Sequence, residues 1–172
     1  YKSLLLKIGA AKPDVLFYGG VSSTGGGLLR KQMSDTGLSK LPMLGGDGIN
    51  DLNTIAGKEA DGVYYTVGAL NADKLASAKE FVKTYAARFK EPVGPYSANA
   101  FAATQIAIAA IVKAKAAGSL TRAAVLKNVA ATSMPTVIGQ VSFDKDGDIA
   151  SPVISVYQFK NGQPFFLPQI KV

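Results

Sequence analysis

At 172 residues and 17.9 kDa the chain is one domain of ordinary size or a piece of something larger, long enough to bury roughly two thirds of its unfolded surface. With 48% hydrophobic and 18% charged residues and a mean hydropathy of +0.17, it lies well away from the polar compositions that stay disordered. Cysteine and histidine are both absent, which excludes disulfides, thiolate nucleophiles, zinc sites of the Cys/His kind and any histidine-dependent triad or proton relay.

The formal charge of +7 and a pI near 9.5 raise the question of nucleic acid or an anionic membrane. The distribution argues against both. Basic residues are spread from Lys2 to Lys171, the only adjacent pair is Arg30-Lys31, and no basic stretch is interleaved with the stacking aromatics of a single-strand binder. A solvated basic surface and no nucleic-acid partner are expected. No basic, apolar leader is visible at Tyr1, and the lack of cysteine fits cytoplasm and periplasm alike. The longest uncharged helical stretch, Ser97 to Val112, falls short of a membrane span and reads as a buried helix.

Along the chain, Leu5, Ile8 and Ala11 recur at near-helical spacing before Pro13 stops the run. Val15-Leu16-Phe17-Tyr18, closed by Gly19-Gly20, reads as a strand buried on both faces of a parallel sheet. The next helix starts near Gly25 to Gly27, carries Leu28, Leu29 and Met33 and ends at Gly37, a good left-handed cap. Pro42-Met43-Leu44 is a second strand closed by Gly45-Gly46, a short helix capped by Asn50 runs through Ala56 to Gly57, and Val63 to Val67 is a third strand. Strands joined by such helices must run parallel through right-handed crossovers, giving an open α/β sheet covered on both sides.

From Asp73 the pattern turns helical: Leu75, Ala78, Val82, Tyr85 and Phe89 share one face of a helix to about Lys90. After the break at Glu91 to Pro95, an Ala-rich helix from Ser97 to Ala117 is apolar nearly all round, and Thr121 caps another from Arg122 to Ala131. Three helices in succession lack a strand of their own; the later strands are Val137 to Phe143, Val153 to Phe159 and Pro164 to Leu167. Crossings between lobes are expected near Gly68 to Asp73 and Gly147 to Pro152, where turn residues cluster.

Four features bear on chemistry. Asp144-Lys145-Asp146-Gly147-Asp148 imitates the start of an EF-hand loop, but Ile149 replaces the sixth-position glycine and Ser155 the closing glutamate, so a polar turn and no metal site is expected. Ser22, Ser23 and Thr24 lie between Gly19-Gly20 and Gly25-Gly26-Gly27, after a strand and before a helix, where hydroxyls and helix amides can hold a small anionic or zwitterionic ligand; no nucleotide fingerprint stands there. Asp47, within Gly45-Gly46-Asp47-Gly48 directly after a strand, is the candidate for a cation, or else a turn aspartate bonded to its own backbone. Tyr64, Tyr65 and Tyr96 are core aromatics or pocket walls. In an open parallel sheet ligands bind beyond the carboxyl ends of the strands, and Ser22, Asp47 and Thr66 all fall there.

The segments Lys12 to Gly20, Leu44 to Gly48, Asp61 to Thr66, Gly94-Pro95-Tyr96 and Ile138 to Asp144, in this order and spacing, resemble the branched-chain amino-acid binding proteins, the Leu/Ile/Val type of periplasmic receptor for ABC importers. The resemblance runs over the whole chain but matches only about the second half of a family member. It implies a periplasmic-binding-protein type I-like α/β fold of two lobes, with residues 1–70 in the second lobe, 71–150 returning to the first as mainly helices, and 151–172 coming back to the second. It implies that Asp47 binds the ligand's α-ammonium, that Gly46 allows close approach, and that Tyr96 walls the pocket from the hinge side. The family often places a tyrosine after the double glycine where this chain has Val21, so leucine-like specificity is open and Ser22 or Thr24 can compensate. The carboxylate-binding residues of the first lobe have no counterpart here.

The function so implied is a non-catalytic solute-binding component of an importer, periplasmic or otherwise extracytoplasmic. It would bind a branched-chain or other small amino acid or related acid without a cofactor and deliver it to a membrane permease by lobe closure. One alternative is a ligand-sensing domain of a receptor or regulator on the same fold. The other is an enzyme using Asp47 as base with Tyr65 or Tyr96 as acid. Alone, the chain is expected to bind weakly and to expose apolar surface on the helices between Asp73 and Ala131, open to self-association.

Overall fold

The computed structural model describes residues 1–167 and the backbone of residues 170 and 171, so residues 168, 169 and 172 at the end of the expected 151–172 segment lie outside it. In chain order the elements are α1 (Lys2–Ala10), β1 (Leu16–Tyr18), α2 (Gly27–Asp35), β2 (Met43–Gly45), α3 (Leu52–Ala56), β3 (Tyr64–Val67), α4 (Lys79–Phe89), α5 (Ser97–Ala116), α6 (Arg122–Ala130), β4 (Ser133–Thr136), β5 (Gly139–Ser142), β6 (Val153–Lys160), β7 (Gln163–Phe166) and β8 (Ile170–Lys171). They form two compact units: Tyr1–Gly68 with Ile154–Ile170, and Ala69–Val153.

In the first unit β1, β2 and β3 run parallel, with Tyr18 beside Gly45 and Gly45 beside Tyr65. The sheet is then completed by antiparallel strands, in the order β1-β2-β3-β6-β7 with β8 on β6. The β6–β7 hairpin turns through Asn161-Gly162, both with positive φ (52° and 71°), the geometry of a type I′ turn. It is fastened to α3 and to the segment leading into β3: the Asp61 carboxylate accepts from the Gly162 amide at 2.7 Å, and the Asn53 amide donates to the Gly162 carbonyl at 2.9 Å.

The expectation that both sheet faces are covered is corrected here. Met43, Tyr65, Val67 and Phe159 are buried on one face, together with Leu5, Leu29, Met33, Ile49 and Leu52. On the other face Phe17 beside Leu44 is exposed, at 69% and 41%, and Phe165 beside Gln158 at 49%. The reason is directional: β1-α2-β2-α3-β3 steps one way across the sheet, so right-handed crossovers put α2 and α3 on the same side. Arg30 lies inside this layer at 7% exposure, donating to the carbonyls of Glu59, Ser39 (3.4 Å) and Asp61 (3.3 Å). Burial lowers its pKa from the ordinary guanidinium value, partly offset by the nearby Glu59 charge.

In the second unit the helix expected from Asp73 begins later. Residues 72–74 and 76–78 are single 3-10 turns separated by extended Leu75, the first capped by Asn71 accepting from the Asp73 amide, and α4 starts at Lys79. Thr121 caps α6 as expected, accepting from the Ala124 amide at 3.2 Å. α5 packs along a single stripe, Ala98, Ala102, Ile106, Ala110 and Ala114, whose four alanines let a neighbouring helix approach closely. It is therefore not buried all round: Ile108, Val112 and, on α6, Leu126 stay exposed. At 20 residues α5 also reaches the length and apolarity of a membrane span, which the narrower stretch Ser97 to Val112 did not, though its stripe is that of a core helix. A strand absent from the sequence reading, β4, pairs with β5 in a hairpin; Pro135 within it lowers its strand signal.

Candidate functional site

Because β1 and β2 are parallel neighbours in register, the segments leaving their carboxyl ends start side by side. After β1 the chain passes Gly19-Gly20 and extended Val21 (φ −115°, ψ 153°), then winds tightly through Ser22–Gly26 into α2. After β2 it passes extended Gly46 into a 3-10 turn at Asp47–Ile49.

Internal hydrogen bonds fix how each residue faces. The Val21 carbonyl accepts from the Tyr18 hydroxyl (3.4 Å), the Thr24 hydroxyl (3.4 Å) and the Gly26 amide (3.2 Å), so it points into the loop while the Val21 isopropyl group is 42% exposed. Ser22 is only 2% exposed and its hydroxyl donates to the Gly48 carbonyl at 3.5 Å. The serine expected to face a ligand instead joins the two loops. A Cβ on Gly48 would stand 2.5 Å from the Gly20 carbonyl oxygen and 2.8 Å from Val21 Cγ1, closer than real Cβ contacts come. Asp47 is exposed at the start of its turn, and the Asp47 carbonyl accepts from the Asn50 amide at 3.1 Å. Gly46 has an ordinary backbone conformation, and a Cβ there would meet nothing within 4 Å, so neither strain nor packing within the chain requires glycine. Exposed Asp47, exposed Val21 and bare Gly46 thus share one surface at the tips of β2 and of its neighbour, the edge strand β1: a carboxylate, an aliphatic wall and open backbone.

The other candidates separate from this group. Thr66 lies within β3, opposite Val156, rather than beyond its end. Tyr65 is core: its ring stacks on Tyr157 at 5.0 Å and 7° and lies 5.1 Å from Phe159. Burial pushes the Tyr65 hydroxyl well above its usual pKa of 10, with Tyr157 adding to the rise, so it stays protonated and enclosed in the core. Tyr96 belongs to the second unit, at the residue preceding α5, and is 40% exposed. The Asp144 carboxylate accepts from the Asp146 and Asp148 amides at 2.9 and 3.0 Å, as a polar turn does. Two concavities of about 740 and 300 Å³ lie within the second unit and are lined by none of the candidate residues. The contact of Gly48 with Gly20 escaped the sequence reading; its only signal is the second glycine of Gly46-Asp47-Gly48.

The profile of the family described as periplasmic binding protein matches residues 1–164. The chain belongs to this family. A Leu/Ile/Val-binding protein homolog 1 of Brucella abortus is 35% identical over 165 residues, covering 94% of this chain and 43% of that protein. A Leu/Ile/Val-binding protein homolog 3 of Brucella melitensis is 29% identical over 95% of this chain and 44% of its own length. Among solved structures, a leucine binding protein from Thermotoga maritima superposes with a TM-score of 0.83 at 23% identity, covering 99% of this chain and 48% of that one. A solute binding protein of an ABC transporter from R. palustris, in complex with benzoate, gives 0.74 at 21%, covering 99% and 47%. This periplasmic binding protein chain therefore spans less than half the length of the relatives it matches. Those relatives are solute-binding proteins, not enzymes.

Proposed function

We propose that the chain is part of the solute-binding component of an ABC importer, extracytoplasmic, taking a branched-chain or other small amino acid and handing it to a membrane permease. The observation that carries this reading is Asp47, an exposed carboxylate at the tip of β2 beside the exposed aliphatic Val21. An exposed carboxylate beside an aliphatic wall suits a cationic guest with an apolar side chain, and the α-ammonium of an amino acid meets it through a charge-assisted hydrogen bond. A bare carboxylic acid such as the benzoate of the R. palustris protein carries no cation and would meet repulsion at Asp47. Gly46 gives the guest's backbone room, and Thr24 borders the same loop. In this reading Tyr1–Gly68 with Ile154–Ile170 is one lobe and Ala69–Val153 belongs to the other. The exposed Ile108, Val112 and Leu126 make self-association of the isolated chain the expected behaviour, which light scattering reads directly.

The test is calorimetric titration of the complete protein with a panel of amino acids and aromatic acids. Binding of an aliphatic amino acid, lost by a hundredfold to several thousandfold in Asp47→Ala, supports the reading; that range corresponds to the roughly 3–5 kcal/mol cost of stranding one partner of a buried charge pair. Binding of none of the panel, or an affinity unchanged in Asp47→Ala, overturns it.

A further inference from the structure

We infer that Ser22 and Gly48 are positioning residues that lock the β1 and β2 loops into one rigid jaw, fixing the separation of Val21 from Asp47 and with it the size of aliphatic side chain admitted. This deepens the amino-acid reading and rests on it.

Three observations converge. Ser22 is almost wholly enclosed, so its hydroxyl has no open path to a guest, and it bridges to the Gly48 carbonyl of the neighbouring loop. At Gly48 the two backbones touch: the missing side chain is what lets the Gly20 carbonyl and the Val21 side chain lie against it. The Val21 carbonyl is held from inside by Tyr18, Thr24 and Gly26, so the backbone that carries the isopropyl group cannot shift without loosening three hydrogen bonds. The ammonium-binding carboxylate and the apolar wall therefore sit on two loops that move as one body. A guest anchored at Asp47 meets Val21 at a set distance, and a side chain longer or shorter than that distance fits worse. One methylene in such a pocket is worth about 10- to 200-fold in selectivity.

The substitutions Gly48→Ala, Ser22→Ala and Asp47→Ala separate positioning from contact. Gly48→Ala must push the Gly20-Val21 segment away from Asp47, so the leucine-to-valine affinity ratio is expected to shift toward the longer side chain by about tenfold. Ser22→Ala, which introduces no clash, should shift the ratio in the same direction by a smaller factor and hasten amide exchange in residues 46–49 of the ligand-free protein. Asp47→Ala should weaken all amino acids together and leave the ratio unchanged. A ratio unmoved in both Gly48→Ala and Ser22→Ala, or exchange at 46–49 unaltered in Ser22→Ala, overturns the jaw while Asp47-dependent binding of the unsubstituted protein leaves the amino-acid reading standing. If the unsubstituted protein binds no amino acid, both fall. Should Gly48→Ala fail to fold, Ser22→Ala alone decides by both readouts.

Discussion

Replacing Arg30 by methionine tests the internal account of the first unit most sharply. The guanidinium is enclosed and donates to three backbone carbonyls, those of Ser39, Glu59 and Asp61, which lie on the two segments that lead into β2 and β3. Hydrogen bonds from a charged donor contribute about 1.5–3 kcal/mol each, and the two at 3.3 and 3.4 Å are long enough to fall at the low end. Three such bonds give about 4–5 kcal/mol. Against this, Arg30→Met removes a buried charge, and relief of its desolvation offsets on the order of 2 kcal/mol. The net loss is about 2–3 kcal/mol, a large share of the roughly 5–15 kcal/mol that holds a domain together. In urea, with a slope near 2 kcal/mol per molar, the unfolding midpoint should fall by about 1–1.5 M at unchanged slope. A midpoint within about 0.3 M of the original, or above it, would show that the carbonyls are satisfied without Arg30 and would refute the clamp.

Phe159→Ala, at a fully buried ring packed on Tyr65, should cost about 3–5 kcal/mol by urea unfolding. Asp61→Ala removes the 2.7 Å bond to the Gly162 amide and should lower stability by about 1–2 kcal/mol, with faster amide exchange at the hairpin turn as its local signature. Tyr65 sets an alkaline limit: its pKa is raised in the folded chain, so the unfolded chain gives up that proton first. The stability this supplies is complete below about pH 10 and is lost as pH rises above it, and Tyr65→Phe should flatten the fall seen by circular dichroism between pH 9 and about 12.

The local alphabet of this protein was legible in its amino acids. Apolar runs closed by paired glycines marked β1 and β2, the cap at Thr121 marked α6, and Asp47 after β2 marked the carboxylate at the strand tip. These signals depend on neighbours within a turn or two of chain, where backbone sterics and short-range hydrogen bonds decide. What needed the third dimension depends on residues distant in sequence. Phe17 reads as buried because it sits in an apolar run, yet both crossover helices fall on the opposite side of the sheet. Arg30 reads as surface charge, yet three carbonyls up to 31 residues away enclose it. Ser22 reads as a ligand hydroxyl, yet a carbonyl 26 residues on accepts its hydrogen bond, because parallel pairing of β1 with β2 brings the two loops into contact where a glycine leaves space.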